Sequence, residues 1–570
     1  MGHHHHGDHH HHHHHDDQAV ELPPTLDTAV HDEELSPAEL SRRSMFRRTG
    51  LLGAGLGAAG VLSGTATAAA TGGSQGRPPA EQRPGKLQWL AGDHHIHTQY
   101  SDDGKYRVID QARHANAYGL DWMVVTDHGT ITHAKIGVEK VNPDIVAARR
   151  EIPSTLVFQG LEWNIPGAEH GTVFVHPGGN EVSTLKEFEN AFDERGKNPD
   201  DGVPANEALA IAGINFLADA VRRNKVRDAL FLANHPARRG IDSPHEIRGW
   251  RDAQPRIAVG MEGAPGHQAG GIKTPFGMGK ARGLYDNNPS AASFPGYPLE
   301  SYRTYGGFDW MTSTVGGLWD SLLAEGKPWW ITANSDSHNI IGDVATRGPD
   351  SNFEANGRYN DPVYGGSPDF GVGDFWPGYY SRTHVGATGF AYAAVMDGIR
   401  AGRVWVDHGG LISGLDLQLR TADRWHQSST TIGGVLHARR GTPVELVITV
   451  DLANNPNWAQ YLPVLARLDV IQGSVTGAAA DRDTFTTPKT KVVKSFEVGK
   501  STGTVTFTYS LGALDKPVYV RVRGTDGNRT APGLLGAAVD PSGPALDVIG
   551  DADPWKDLWF YSNPIWALPV

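Results

Sequence analysis

The chain contains no cysteine. This absence excludes disulfides, thiolate nucleophiles, and zinc or iron–sulfur sites with cysteine ligands. Any transition-metal site must therefore be built from histidine and carboxylate side chains. An excess of positive charge is also missing: the formal net charge is −13, of which −5 falls in residues 1–70 (nine acids against four arginines). The remaining −8 gives no basic surface for nucleic acid, so we expect no stable nucleic-acid complex.

Long apolar runs are absent after residue 70. The mature chain is therefore predicted to be soluble and to carry no membrane anchor. Its 570 residues, 39% hydrophobic and 20% charged, are enough for several folded units. The 70 glycines and 36 prolines favour long structured loops over helical bundles.

Residues 1–70 have the character of a targeting segment. Residues 1–17 hold eleven of the 28 histidines and are either an expression tag or a native metal-binding tract. Arg42 and Arg43 precede a weakly apolar run, Thr49–Ala70, which ends in small residues. This order indicates a signal peptide, and the Ser-Arg-Arg-x-x-Phe core resembles a twin-arginine signal. We expect the twin-arginine machinery to deliver the protein to the extracellular space or periplasm; the alternative is a membrane anchor.

The rest of the chain divides by pattern. Residues 71–87 form a predicted linker, and residues 88–407 alternate strand and helix patterns, which predicts an α/β fold with parallel strands, open or closed into a barrel. Two stretches, 264–307 and 340–384, interrupt this alternation and are predicted lids or insertions. Residues 408–570 show short strands between turn signals and predict a separate C-terminal β-sandwich domain. The expected strands are 88–96, 120–126, 155–162, 171–175, 229–234, 257–262 and 329–334.

Histidines and carboxylates gather at the ends of these predicted strands. His95 and His97 are two residues apart and share one face of a strand, whereas His94 faces the other way. Active sites of α/β folds lie at the carboxyl ends of strands. So many buried polar groups would be costly without a cation, so the pattern predicts a site for Zn, Mn or Fe. The other candidates are Asp102, His128, Glu162, His170, His176, His235, Asp336 and His338.

Four of these segments resemble the motifs of the PHP (polymerase and histidinol phosphatase) superfamily of metal-dependent phosphoesterases. The segments are His95-Ile96-His97-Thr98 with Ser101-Asp102, Thr126-Asp127-His128, Asn234-His235-Pro236 and Asp336-Ser337-His338; Asp103 is an extra residue before the usual glycine. The resemblance implies a distorted (β/α)7 barrel that holds three divalent metals per chain.

The resemblance also implies which residues hold each metal. His95, His97, Glu162 and Asp336 would hold the first. Glu162 would bridge to a second metal, which is also held by His235 and by either His170, our choice because it fits the family spacing better, or His176. The third would be held by Asp102, His128 and His338.

The chemistry expected of such a site is hydrolysis at phosphorus by a metal-bridging hydroxide. His176 is a candidate proton donor to the leaving oxygen. Arg238 is a candidate for holding a phosphate oxygen, as is Arg382. Glu262 and His267 are further candidates for outer-shell or substrate contacts.

Three functions remain open at this point. We expect an exported phosphoesterase that acts on small phosphate esters or nucleotides. The alternatives are an amide or lactone hydrolase on a related metal barrel, and a surface-binding protein whose barrel is inactive. No motif residue is missing, which favours the enzyme. Aromatic residues near the C-terminus, such as Trp555 and Trp559, are expected to be core rather than a sugar-binding platform.

Overall fold

The computed structural model describes residues 87–194, 203–422, 427–528, 540 and 542–570. The described residues belong to one compact unit. The histidine-rich tract and the predicted signal fall outside the described residues, so the roles given to these two segments stay predictions. Within the described ranges, no helix combines the length and the apolar character needed to cross a membrane.

Strands dominate the described chain. They are β1 (Gln88–Ile96), β2 (Trp122–Val125), β3 (Leu156–Asn164), β4 (His170–Val175), β5 (Ala229–Ala233), β6 (Ala258–Ala264), β7 (Thr304–Tyr305), β8 (Phe308–Asp309), β9 (Trp330–Ala333), β10 (Ala345–Thr346), β11 (Val363–Tyr364), β12 (Ser381–Ala387), β13 (Val404–His408), β14 (Ile412–Thr421), β15 (Ser429–Thr430), β16 (Val435–Ala438), β17 (Pro443–Leu452), β18 (Arg467–Ser474), β19 (Lys491–Glu497), β20 (Thr504–Ala513), β21 (Val518–Thr525), β22 (Trp559–Ser562) and β23 (Ile565–Pro569).

Helices connect the strands of the first part of the chain. They are α1 (Val108–Ala117), α2 (Val138–Glu151), α3 (Glu181–Phe192), α4 (Pro204–Arg222), α5 (Pro244–Ala253), α6 (Trp310–Ser313), α7 (Leu318–Ala324), α8 (Phe353–Asn356) and α9 (Tyr392–Arg400). Local sequence sets their ends. Helix α5, for example, begins with a capping box: the Ser243 side chain accepts from the Glu246 amide, and Glu246 accepts from the Ser243 amide.

The central sheet runs in the order β12-β1-β2-β3-β4-β5-β6-β9. Strands β1, β2 and β3 are parallel, as are β5, β6 and β9. The expectation of parallel strands throughout is wrong for β4, which is antiparallel to both β3 and β5. The short loop 165–169 between β3 and β4 explains this, because a parallel connection needs a crossover of a dozen or more residues.

Strand β9, at the end of this order, approaches strand β12 on the far side of β1. The Ala333 amide on β9 donates to the Thr383 hydroxyl of β12 at 2.8 Å, and that hydroxyl donates to the Ala333 carbonyl at 2.6 Å. The His97 amide, just after β1, donates to the Ser337 carbonyl at 3.0 Å. These bonds bring the chain after β9 against the end of β1, so residues distant in sequence meet at one rim.

Several strands of the central sheet have continuous apolar sequences because they are buried. Every residue of β2, β3, β5, β6 and β9 is buried. Strands covered on both faces lose the polar–apolar alternation of a half-exposed sheet. The central apolar cluster includes Trp122, Trp163 and Phe231.

The C-terminal strands share a second apolar cluster. Strands β14 and β17 alternate buried and exposed residues, and their buried side chains pack with those of β18, β21 and β23. The four-stranded sheet β15-β14-β17-β20 supplies one side of this cluster. The central sheet also continues through β12, β13, β22 and β21, so hydrogen bonding crosses the expected boundary at residue 407. A separate domain after residue 407 stays a prediction.

Candidate metal centre

Six strands of the central sheet bring polar side chains to one rim. His95 lies near the end of β1 and His97 just after it; His128 follows β2, His235 follows β5, and Asp336 follows β9. Glu162 lies near the end of β3. His170 is the first residue of β4, and because β4 runs antiparallel, its beginning lies at the rim where its neighbours end.

The first group consists of His95, His97, Glu162 and Asp336, all buried and with potential ligand atoms within 4.8 Å of one another. His95 Nε2 lies 3.1 Å from Glu162 Oε1 and 3.1 Å from Asp336 Oδ1. His97 Nε2 lies 3.3 Å from Asp336 Oδ1. These are the four residues expected to hold the first metal, and the structure brings them together.

The geometry of this group fits a shared cation better than direct hydrogen bonds. Asp336 Oδ1 is buried and makes no hydrogen bond, although two histidine nitrogens lie within 3.3 Å. His338 Nε2 is likewise buried without a hydrogen bond, 3.3 Å from Asp103 Oδ2. Donor atoms that converge without bonding one another are what a metal site requires, because every ligand atom points at the ion.

A second group of histidines also contacts Glu162. His170 Nδ1 lies 3.0 Å from Glu162 Oε1, and His235 Nε2 lies 3.2 Å from the same oxygen. His170 and His235 also form a possible metal-binding group with buried Glu169. Glu162 thus faces both groups, as expected of a bridging carboxylate.

His176 lies away from this rim. It follows the last residue of β4, and six residues of strand at roughly 3.3 Å each separate it from His170 by about 20 Å. Its Nδ1 donates to the Pro177 carbonyl at 2.8 Å, and its ring contacts Tyr392. The roles suggested for His176, as ligand and as proton donor, are wrong because the antiparallel course of β4 carries it to the opposite end of the sheet.

The third group contains Asp103 where Asp102 was expected. Asp103 Oδ2 lies 3.0 Å from His128 Nε2 and 3.3 Å from His338 Nε2. Asp103, His128, His338 and His97 form a possible metal-binding group. Asp102 is exposed, and its carbonyl accepts from Arg347 and Tyr359. The additional residue before Gly104 shifts which carboxylate reaches the cluster.

Two further buried carboxylates, Glu262 and Asp93, contact the candidate metal ligands or the backbone beside them. Glu262 Oε1 lies 2.7 Å from His95 Nδ1, and Glu262 Oε2 accepts from the His235 amide at 2.7 Å. Asp93 accepts from the amides of His95 and Ser335, both at 3.0 Å. Glu262 thus fixes the tautomer and ring orientation of His95, and Asp93 holds the backbone beside the ligands. Glu262 was only a weak candidate from its place at a strand end, and nothing in the sequence distinguished Asp93.

His267 joins the cluster from the loop after β6. Its Nε2 lies 2.8 Å from Asp336 Oδ2, and its Nδ1 lies 2.5 Å from Asp374 Oδ1. His267, Asp336 and His338 form another possible metal-binding group. Asp374 belongs to the stretch 340–384, so its approach to His267 depends on tertiary folding that sequence spacing does not show.

The backbone at this rim is strained. His235, His267 and Asp336 have φ values of 30°, 54° and 46°, a region that residues other than glycine seldom adopt. The loop after β6 passes so close that a Cβ on Gly266 would lie 2.1 Å from the Asp336 Cβ. Strain concentrated at one place is typical of functional sites.

Charge at the cluster is dominated by buried carboxylates. Burial raises the pKa of Glu162, but His95, His170 and His128 outweigh it and hold that pKa well below its usual value. Burial lowers the pKa of His95, but Asp336 and Glu162 outweigh it and raise that pKa well above the usual value. The cluster therefore favours ionised carboxylates and attracts positive charge, which bound metals would supply.

A cavity of about 390 Å³ opens above the cluster. Arg238 lines it, and its Nη2 lies 3.4 Å from Glu169 Oε2. The two stretches expected to be lids contribute Met278 and Leu284 from one side and Val372 from the other. Arg382 instead donates to the carbonyls of Gly378 and Tyr118.

Comparison with known proteins gives a partial match. The family model "PHP domain" matches residues 93–195, which include His95, His97, His128, Glu162 and His170. His235, Asp336 and His338 lie outside the matched range, and the fold brings them to the same cluster. No curated protein matches the chain.

One similar solved structure is a two-domain protein from Bacteroides vulgatus ATCC 8482 that contains a predicted PHP-like metal-dependent phosphoesterase. It is 14% identical, with a TM-score of 0.30, and the match covers 79% of this chain and 95% of that chain.

Proposed function

We propose that this protein is an exported, metal-dependent phosphoesterase that hydrolyses small phosphate esters or nucleotides. The observation that carries the proposal is the set of interlocking histidine–carboxylate groups around Glu162 and Asp336, with Arg238 beside them in one cavity. The PHP match over residues 93–195 supports the same reaction class.

The donor set suits two or three divalent ions of zinc, manganese or iron, because it consists of imidazoles and carboxylates without thiolates. His95, His97, Glu162 and Asp336 would hold one ion; Glu162, His170 and His235 a second; Asp103, His128 and His338 a third. Bound divalent ions activate water at neutral pH and neutralise the charge of the phosphate. The chain's own contribution is to hold these ligands in fixed orientation through Glu262 and Asp93.

Arg238 is the group we assign to the phosphate. Its side chain is largely buried, and Glu169 and the other carboxylates of the site keep its pKa above the usual value although burial lowers it. A guanidinium stays charged at any working pH and can donate two parallel hydrogen bonds to phosphate oxygens. Its position in the wall of the cavity lets it orient the ester above the cluster.

The size and walls of the cavity support a small substrate. A space of about 390 Å³ lies near the lower end of the range for small-molecule sites, and residues of the two long stretches line it. Because the mature chain also lacks excess positive charge, we propose that long duplex nucleic acid is not a substrate.

Two finer points are also proposals. The strands from β1 to β6, with β9 and β12, would form a distorted (β/α)7 barrel, and the C-terminal strands a β-sandwich.

Export through the twin-arginine route would place the enzyme outside the cytoplasm. Replacing Arg42 and Arg43 together by Lys should trap unprocessed chain inside the cell, whereas normal secretion would contradict this route.

The experiment that tests the activity offers 4-nitrophenyl phosphate, bis(4-nitrophenyl) phosphate, nucleotides and closed circular DNA side by side, with Mn²⁺ or Zn²⁺. We expect turnover of at least one small ester and no nicking of the circle. If none of the esters is hydrolysed while the metals are confirmed in place, the phosphoesterase proposal is excluded.

A further inference from the structure

The cavity above the cluster has one apolar wall. Met278 and Leu284 come from the stretch 264–307, and Val372 comes from the stretch 340–384. The two segments meet there, because a Cβ placed on Gly373 would lie 3.4 Å from Met278 Sδ. The wall therefore contains residues of both stretches, and it lines the same cavity as the carboxylates of Glu162 and Asp336, which form its charged floor.

Polar groups of the same wall are already engaged. Asp374 accepts from the amides of His338 and Asn339, both at 2.7 Å, and its other oxygen contacts His267. The Asn339 side chain donates to the Asp103 carbonyl at 3.1 Å. A bound group at this wall would therefore meet mainly Met278, Leu284 and Val372, which favours an apolar group over a sugar or a base that needs hydrogen bonds.

Two exposed phenylalanines lie next to this wall in the chain. Phe276 is 68% exposed and lies two residues before Met278, and Phe370 is 37% exposed and lies two residues before Val372. Their rings contact each other edge to face, with centroids 6.0 Å apart and planes at 89°. Each ring comes from a different one of the two long stretches. We call this pair, Phe276 and Phe370, the lip, because each ring is two residues away in sequence from a residue of the wall.

We propose that the wall of Met278, Leu284 and Val372 and the lip of Phe276 and Phe370 form a subsite for an aryl group, so that the preferred substrates are phosphate esters of aromatic alcohols. This rests on the proposed phosphoesterase function, since the phosphate is what the charged floor and Arg238 would hold. Edge-to-face packing suits a third ring at the lip, and covering Phe276 would remove apolar surface from water.

The test uses the metal-loaded full chain and two non-hydrolysable probes, phenylphosphonate and methylphosphonate, whose dissociation constants are measured by calorimetry. The phenyl compound should bind about tenfold more tightly, because it buries an additional ring.

The variant Phe276→Ser with Phe370→Ser should reduce the phenyl preference to about twofold or less. Leu299→Ser is the matched control, since Leu299 is equally exposed at 68% and belongs to neither the wall nor the lip; this variant should keep the full preference. Equal affinity for the two phosphonates, or an unchanged preference in the double variant, would overturn the aryl subsite. If neither phosphonate binds to metal-loaded protein, the proposed function itself fails.

Discussion

The Nε2 atoms of His95 and His97 lie 3.0 Å apart, and both rings are fully buried. The other ring nitrogen of His95, Nδ1, lies 2.7 Å from Glu262 Oε1. The Nδ1 atom of His97 lies 3.0 Å from the Ser101 hydroxyl. Both Nε2 atoms are thereby turned toward one point, where a shared cation could bind them both.

Removing a carboxylate from this point should remove metal and activity together. Asp336→Asn keeps the shape of the side chain but loses the charge, so we expect turnover to fall by about 100-fold or more. Metal content per chain, measured beside kcat, checks the cause. Full metal content with full activity in this variant would contradict the assigned role of Asp336.

His94 provides a contrasting variant on the same strand. Its ring is fully buried, and its nitrogens contact Thr172 at 3.3 Å and Thr332 at 2.8 Å. Burial lowers its pKa to about 3, so the ring is neutral. His94→Ala should lower the free energy of unfolding by about 2–4 kcal/mol while metal content stays near that of the wild type. Loss of metal from a variant that remains folded would contradict the assignment of strand faces.

Asp102 and Asp103 form a second matched pair. Asp103 contacts His128 and His338, whereas Asp102 is exposed. Asp103→Asn should weaken metal binding at the third group and lower kcat by about tenfold or more, since one charged ligand is lost. Asp102→Asn should leave both quantities within about twofold. The opposite ranking would return the ligand role to Asp102.

Variants at Arg238 and His176 compare a residue proposed to bind the phosphate with a residue that lies away from the cluster. Arg238→Gln should lower kcat/KM by about 10- to 100-fold, because a charge-assisted hydrogen bond to phosphate is lost. His176→Ala, about 20 Å from His170 along β4, should change kcat/KM by less than about twofold. The pH–rate profile of His176→Ala should match that of the wild type; loss of one limb would restore His176 as the proton donor.

The buried side chain of Asp557 predicts a pH dependence of the stability of the fold. Burial raises the pKa of Asp557 from 3.8 to about 8, while its carboxylate accepts from Trp559 Nε1 at 2.6 Å. The folded state then holds a proton that the unfolded chain releases, so the contribution of Asp557 to stability is lost as the pH rises from about 4 to about 8. Asp557 has φ of 76°, which asparagine tolerates.

The variant Asp557→Asn should therefore lose less stability than the wild type between pH 5 and pH 8. Urea unfolding at the two pH values measures the difference. An unchanged difference between the two proteins would show that Asp557 does not titrate in this window.

Much of the site was predictable because strand ends in α/β folds meet at one rim. The pairing of His95 with His97, and the grouping of Glu162, His235 and Asp336 around them, followed from two-residue spacing and from a family resemblance. The direction of β4 was not predictable from its composition, and this decided between His170 and His176. Local spacing also cannot tell which of two adjacent aspartates turns inward.

The contributions of the lids depend on long-range folding. Asp374 reaches His267 across more than a hundred residues, and Met278 meets the segment of Gly373 across a similar separation. Glycine-rich stretches carry no periodicity that would fix these contacts in advance. The same holds for β22, which pairs with β13 far back in the chain.

Elemental analysis of the chain lacking residues 1–70 tests the central claim most directly, because the histidine tract cannot contribute metal to the result. We expect two to three transition-metal ions per chain, in keeping with the histidine–carboxylate groups around Glu162 and Asp336. Fewer than one ion per folded chain, in protein never exposed to chelator, would contradict it.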